Sequence, residues 1–403
     1  MGEKLRIIEP SFLRGFKCDG SSCHAECCRG WSVRFDGATV KKYRAIADEK
    51  IRKNIFRHLK NFDKNSKGAS VDFGDGISCP FLMPDYLCCI QKHLGEAYLS
   101  DVCAVYPRVY NRAGDTIECA AMFSCPIISR LELFADDIEF CETGNANIRL
   151  AMAKDIKSGC LSDMNNFLLL QRAGIRILKD KSLAVDERLL LLAALFDVAD
   201  KVIADGGEAR IAALASGLTE GGGPRETLAM MRDAPYSHRR YIEWILDVIE
   251  ALYSPSRDIA FPPIYIFREF ESLYHVKAGG SMEEVALAYE KAWSGNGERL
   301  IARFGGILGN YLINEFWAMA YPCRLDATLS ENFMVFLAVF KVIELCLLTL
   351  VAKNENACDD EAVMIIRLIA QQSEHNVNFE TLLLPDIREQ GAGVNLAAGL
   401  LRH

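Results

Sequence analysis

A chain of 403 residues that is 50% hydrophobic and 25% charged is long enough for two or three packed domains and too apolar to be disordered. Its net charge of −8 and the lack of a basic stripe argue against a reader of nucleic-acid backbones. The first ten residues mix charges of both signs and reach no apolar run of seven, which predicts no signal peptide and a cytoplasmic protein.

Taken in order, residues 7–37 read as an irregular segment punctuated by Gly and Cys, with a short alternating strand over 31–35. Apolar residues recur at helical spacing over 39–62, with Thr39 as the expected N-cap. Residues 65–76 read as a loop. A short amphipathic helix is expected over 91–99, and strands near 109–110 and 117–121 form a hairpin over 111–115. Beyond residue 143 the texture changes to helical runs at 186–204, 241–252, 282–293, 300–319, 332–353 and 360–375, without βαβ alternation. Glu220-Gly-Gly-Gly-Pro224 follows a helical stretch rather than a strand, so it is read as a turn and not as a nucleotide loop.

The run at 333–352 is apolar enough to suggest a membrane span, but Lys341 and Glu344 near its centre would each cost about 2.5–3.5 kcal/mol at mid-bilayer. A buried helix that pairs them at i, i+3 is expected instead, with no membrane contact. The fold class is therefore mainly α. A Cys-rich α+β metal or cluster module over 1–143 precedes an irregular helical domain over 144–403. Charge is balanced in the first part, and the second carries the whole −8.

Eleven of the 15 cysteines fall at or before Cys141. Cys18, Cys23, Cys27 and Cys28 lie within eleven residues; Cys79, Cys88 and Cys103 form a second group, and Cys125 follows. Clustered thiols in a reducing compartment point to metal ligation rather than disulfides, and the odd total fits poorly with complete pairing. Soft thiolates select iron–sulfur clusters, zinc or copper(I). Adjacent Cys27 and Cys28 favour a multi-iron cluster, while a four-cysteine zinc site remains the competitor. A C-x3-C-x2-C radical loop is not completed, because Gly30 stands at its third position.

The pattern Phe16-Lys-Cys18, Cys23, Cys27-Cys28-Arg-Gly-Trp31, Asp36, Cys79-Pro-Phe-Leu82, Leu87-Cys88, Ile90-Gln91, Leu94-Gly95, Cys103, Tyr106-Pro-Arg108 and Ser124-Cys125-Pro126 resembles the flagellin lysine-N-methylase (FliB) family. Asn310-Tyr311-Leu312 with Tyr321-Pro322 is similar to that family's C-terminal signature. The resemblance implies methyl transfer from S-adenosylmethionine to lysines of flagellin by an enzyme holding a 4Fe-4S cluster. On it, the expected ligands are Cys18, Cys23, Cys27, Cys28, Cys79, Cys88, Cys103 and Cys125.

A lysine amine has a pKa near 10.4, so such a site must desolvate the ammonium or offer a base. Tyr106 and Asp36 are the expected catalytic groups, with Glu118 and His24 also beside the cysteines. Arg108 has the fork to hold a donor carboxylate, and Trp31 the ring to stack on adenine or flank a sulfonium. Cys89, Cys119 and Cys141 fall outside the pattern. The alternative is a zinc-stabilised helical adaptor without catalytic activity.

Overall fold

The computed structural model describes residues 5–401 apart from 24–25, 30–32, 64–66, 75, 77, 145–147, 158, 160, 220–222, 232–236, 254–270, 272, 275–280 and 377. Strand β1 (Arg6–Pro10) opens the chain, and β2 (Arg34–Phe35) is the described part of the strand expected over 31–35. The helix expected over 39–62 is two, α1 (Gly37–Arg44) and α2 (Glu49–Arg57), because two aspartates cap separate starts. Asp36, not Thr39, is the first cap: its Oδ1 accepts the Thr39 N–H at 2.8 Å. Asp48 accepts the N–H groups of Lys50 and Ile51.

The stretch expected as a loop holds β4 (Ala69–Val71), which pairs antiparallel with β2 and with β3 (Leu59–Lys60). Its two inward residues, Ala69 and Val71, are buried, a pattern too short to stand out in sequence. Helices α3 (Cys89–Leu94) and α4 (Asp101–Val105) follow, with a 3-10 turn at Glu96–Tyr98.

The expected hairpin is present and longer: β5 (Arg108–Ala113) pairs with β6 (Thr116–Ala121) across a turn at Gly114, where φ is +63°. After α5 (Pro126–Leu133) come β7 (Phe140–Thr143) and β8 (Lys154–Asp155). The five-stranded order is β7-β1-β6-β5-β8, with β1 parallel to β6 and antiparallel to β7.

The remainder is helical: α6 (Met164–Lys179), α7 (Val185–Ala204), α8 (Ile211–Thr219), α9 (Gly223–Met230), α10 (His238–Tyr253), α11 (Met282–Ala318), α12 (Leu329–Lys353), α13 (Asp359–His375), α14 (Phe379–Gln390) and α15 (Val394–Leu401). Two expectations change here. The runs at 282–293 and 300–319 are one 37-residue helix. Gly297 does not break it, because the Trp293 indole lies 3.0 Å from where a Cβ would stand, so that glycine serves packing. The turn expected at 220–224 has 220–222 outside the described residues, and α9 begins at Gly223 with Pro224 in its first turn, where proline's missing N–H costs nothing.

Helix α12 is long and apolar enough to cross a membrane by length and composition, yet its apolar stretch is buried inside the protein. Lys341 and Glu344 are buried together and ion-paired at i, i+3, with Lys341 5.3 Å over the Tyr241 ring.

The helices and the five-stranded sheet share one core, which includes Phe123, Leu133 and Ile138 beside α7, α11 and α12. Side chains of α11 bind the backbone of the sheet region. Trp317 Nε1 donates to the Cys119 carbonyl at 2.7 Å, Asn314 Nδ2 to Ala121 at 2.9 Å, and Asn310 Nδ2 to Ala135 at 2.8 Å. Buried carbonyls need such donors.

Candidate metal centre and active site

The first cysteine group sits on two 3-10 turns, Gly20–Cys23 and Glu26–Cys28, that follow Cys18. The second begins where the Cys79 N–H donates to the Cys28 carbonyl at 2.7 Å, so one backbone bond joins segments fifty residues apart. Cys88 is the N-cap residue of α3, and the Cys89 N–H donates to Phe81 at 2.7 Å. Ser100 caps α4 by accepting the Cys103 N–H at 3.3 Å. Cys125 is the N-cap residue of α5, with Pro126 in its first turn.

These turns meet around one cavity of about 420 Å³, and all eight cysteines predicted as ligands line it. Tyr106 and Arg108 line it as well, with apolar Val33, Phe35, Phe81, Ile90 and Leu99. Lys17, Gln91 and Glu96 add polar groups to the wall. Cys89, Cys119 and Cys141 are absent from the lining.

Burial dominates the thiols. It pushes Cys79 up to about 12, and Cys103 and Cys125 each up to about 11. Neighbouring sulfurs add to the rise: Cys88 and Cys103 for Cys79, and Cys23 and Cys27 for Cys125. Backbone N–H groups oppose it, Phe81 at Cys79, Gln91 and Ile90 at Cys88, and Ile128 and Ile127 at Cys125. Amide hydrogens aimed at sulfur favour thiolate, the form that binds metal.

The donor set thus fits a thiolate-bound metal or cluster in chemistry: soft sulfur, amide donors and an apolar shell. Among the described residues, no three His, Cys, Asp or Glu side chains are gathered tightly enough to enclose an ion, and the Cys27 and Cys28 sulfurs lie 4.0 Å apart.

Tyr106 is half-buried and donates its O–H to Ser124 Oγ at 3.2 Å; desolvation, then Cys125, holds its phenol well above the ordinary range. Arg108 stacks over the Phe16 ring at 4.9 Å. Asp36 does not line the cavity; its carboxylate is engaged with the Thr39 N–H and hydroxyl as the α1 cap. Trp31 and His24 lie outside the described residues. Tyr43, which sequence reading did not single out, lines the cavity from the buried face of α1, and Cys103 and Cys88 reinforce the effect of burial in raising its phenol.

Glu118 also lies away from the cavity. It is 1% exposed in β6, accepts Gln171 Nε2 at 3.1 Å, and is pushed up to about 7 by burial. Its folded pKa lies above the unfolded value, so its contribution is complete below about pH 4.5 and is lost as pH rises through 7. Glu118→Gln should therefore gain on the wild type by about 3 kcal/mol between pH 4.5 and 8. Urea unfolding at the two pH values checks this, and an unchanged difference between the two proteins would refute it.

No solved structure matches this chain. A lysine-N-methylase of Salmonella typhimurium (strain LT2) is 33% identical over 129 residues, 32% of this chain and 32% of that one. A lysine-N-methylase of Salmonella choleraesuis (strain SC-B67) matches to the same extent. The chain thus aligns with about a third of the length of these relatives. A flagellar biosynthetic protein FliU of Salmonella muenchen is 34% identical over 132 residues, 32% of this chain and 76% of that one. The model of the FliB lysine N-methylase C-terminal domain matches residues 172–400, which run from the second half of α6 into α15. That match covers more than half of the sequence, and the chain belongs to the FliB lysine N-methylase family.

Proposed function

We propose that the protein is an S-adenosylmethionine-dependent protein-lysine N-methyltransferase that acts on flagellin in the cytoplasm, with the cysteine cavity as its site. The observation that carries this reading is the gathering of both cysteine groups, Tyr106 and Arg108 around one cavity in a member of this family. Residues 1–143 form the cysteine module in this reading, and 144–403 the helical part. The eight lining cysteines would hold a 4Fe-4S cluster, of which four thiolates suffice as ligands. Bound there, the cluster supplies cross-links between the two cysteine groups and a Lewis-acidic iron, and the donor supplies a sulfonium methyl.

The chain's own residues account for the rest. The apolar wall of Val33, Phe35, Phe81 and Leu99 desolvates an entering ammonium and lowers its pKa, which favours the neutral amine. Tyr106, at the wall, accepts a hydrogen bond from that amine and aligns it. Arg108, with its guanidinium plane fixed on Phe16, holds the donor's carboxylate. Each turnover forms one N–C bond, breaks one S–C bond and releases the proton of the ammonium to solvent.

Anaerobic transfer of labelled methyl from S-adenosylmethionine to purified flagellin tests the reading. Incorporation on lysine is the expected result, and its absence from iron-loaded protein that binds the donor would overturn it. Arg108→Ala should raise the KM for the donor by roughly tenfold or more, as loss of a charged hydrogen bond does, while the KM for flagellin stays put. An unchanged donor KM removes Arg108 from this role.

A further inference from the structure

The two peptide N–H groups just before Cys125 find their partner neither in the sheet nor in α5. Phe123 is fully buried and Ser124 nearly so, so neither amide has water to turn to. Both donate to one carboxyl group from the far end of the sequence. The Phe123 N–H reaches Glu374 Oε1 at 2.7 Å, and the Ser124 N–H reaches Oε2 at 3.1 Å. Glu374 is the penultimate residue of α13, and its side chain is 1% exposed.

The next residue continues the contact. His375 Nε2 lies 3.3 Å from Ser124 Oγ, the same oxygen that accepts the Tyr106 hydroxyl. Burial lowers His375 to about 4, so its ring is neutral at pH 7 and Nε2 can accept the Ser124 proton. The order of donors then runs from Tyr106 to Ser124 to His375. On the other side of the turn, Ser129 Oγ donates to the Phe123 and Cys125 carbonyls.

We propose that Glu374, assisted by His375, is a positioning residue for the cavity: it fixes the turn at 123–125 so that Cys125 and Tyr106 keep their places in the wall. The inference rests on the cavity being the reacting site. It adds that the helical part completes that site across 250 positions of sequence, rather than only carrying it. A carboxyl group suits the task because each of its oxygens meets one amide, while burial and then Glu315 push Glu374 up to about 8. A glutamine offers one acceptor, and its NH2 would face the second amide.

Hydrogen–deuterium exchange on the full-length protein, read on peptides spanning 116–129, tests this directly. In Glu374→Gln one of the two amides should exchange roughly tenfold faster, and in Glu374→Leu both should, the loss expected when a buried hydrogen bond is left unmade. Amides of β6 should keep wild-type rates, and the alkylation rate of Cys346, in the core of α12, should not move. With flagellin and the methyl donor, Glu374→Gln should lower kcat about tenfold with little change in either KM.

Wild-type exchange at Phe123 and Ser124 in Glu374→Gln overturns the proposal, as does faster exchange without loss of kcat. General loosening, in which β6 and Cys346 respond too, also counts against it. If the wild type transfers no methyl at all, the proposed function fails, while the exchange result still decides whether Glu374 holds the turn.

Discussion

Protein purified without oxygen is expected to be brown and to carry about four irons per chain, and the doubly substituted Cys88→Ser, Cys103→Ser protein to be colourless. The argument is one of donors. Cys88 and Cys103 stand on α3 and α4, line the cavity, and raise the proton affinity of Cys79 through their charge, so they are close to it. Serine keeps the size and removes the soft ligand. Methyl transfer should fall by at least the roughly 10–100-fold that loss of a metal's outer-shell partner causes, since these residues would be inner ligands. Cys89→Ser is the internal control, because Cys89 does not line the cavity and should leave iron content unchanged. Colourless wild-type protein with stoichiometric zinc would instead support a zinc-stabilised adaptor, and iron retained by the double variant would dismiss these two cysteines as ligands.

The second large effect lies in α12. Lys341 and Glu344 are buried side by side, so Glu344→Leu strands an ammonium in the core and should destabilise the fold by about 3–5 kcal/mol. Replacing both, Lys341→Met with Glu344→Leu, removes the charge instead of isolating it, and should come within about 1 kcal/mol of the wild type or exceed it. Chemical denaturation of the three proteins separates the cases. Equal losses in the single and double variants would show that the pair is not acting as a unit. Asp186, pushed up to about 7 by burial and by Glu344 and held down by Lys341, sets the low end of that range, because Glu344→Leu relieves a repulsion there and leaves Asp186 facing the ammonium.

Sequence spacing brought forward the eight thiols that line the cavity, because thiols concentrated in one third of a chain are seldom there for packing alone. It could not show that the two groups share a wall, since the Cys79 to Cys28 backbone bond depends on chain path rather than composition. The longest helices of the C-terminal part were legible from periodicity and Lys341 with Glu344 from spacing, whereas α6, α14 and α15 were not picked out. Misread breaks have local causes. Asp36 and Asp48 each look like an ordinary surface acid until seen capping a helix, and Gly297 looks like an interruption until Trp293 is packed on it. Asp36 was a candidate base by proximity in sequence, and its place in a cap explains why proximity misled. Glu374 and His375 left no signal near the cysteines, because their role exists only once the tail folds back on residue 124.

Strand β1 gives the chain an order of assembly. It lies between β7 and β6, so its partners are residues 116–118 on one side and 140–143 on the other. During synthesis β1 must wait for more than a hundred further residues before either neighbour exists. The cysteines from Cys18 to Cys28 follow that strand directly and wait with it. A nascent chain stalled at residue 110 would hold seven of the eight thiols without the turn at 123–125, so the cavity wall closes only after residue 127 has emerged.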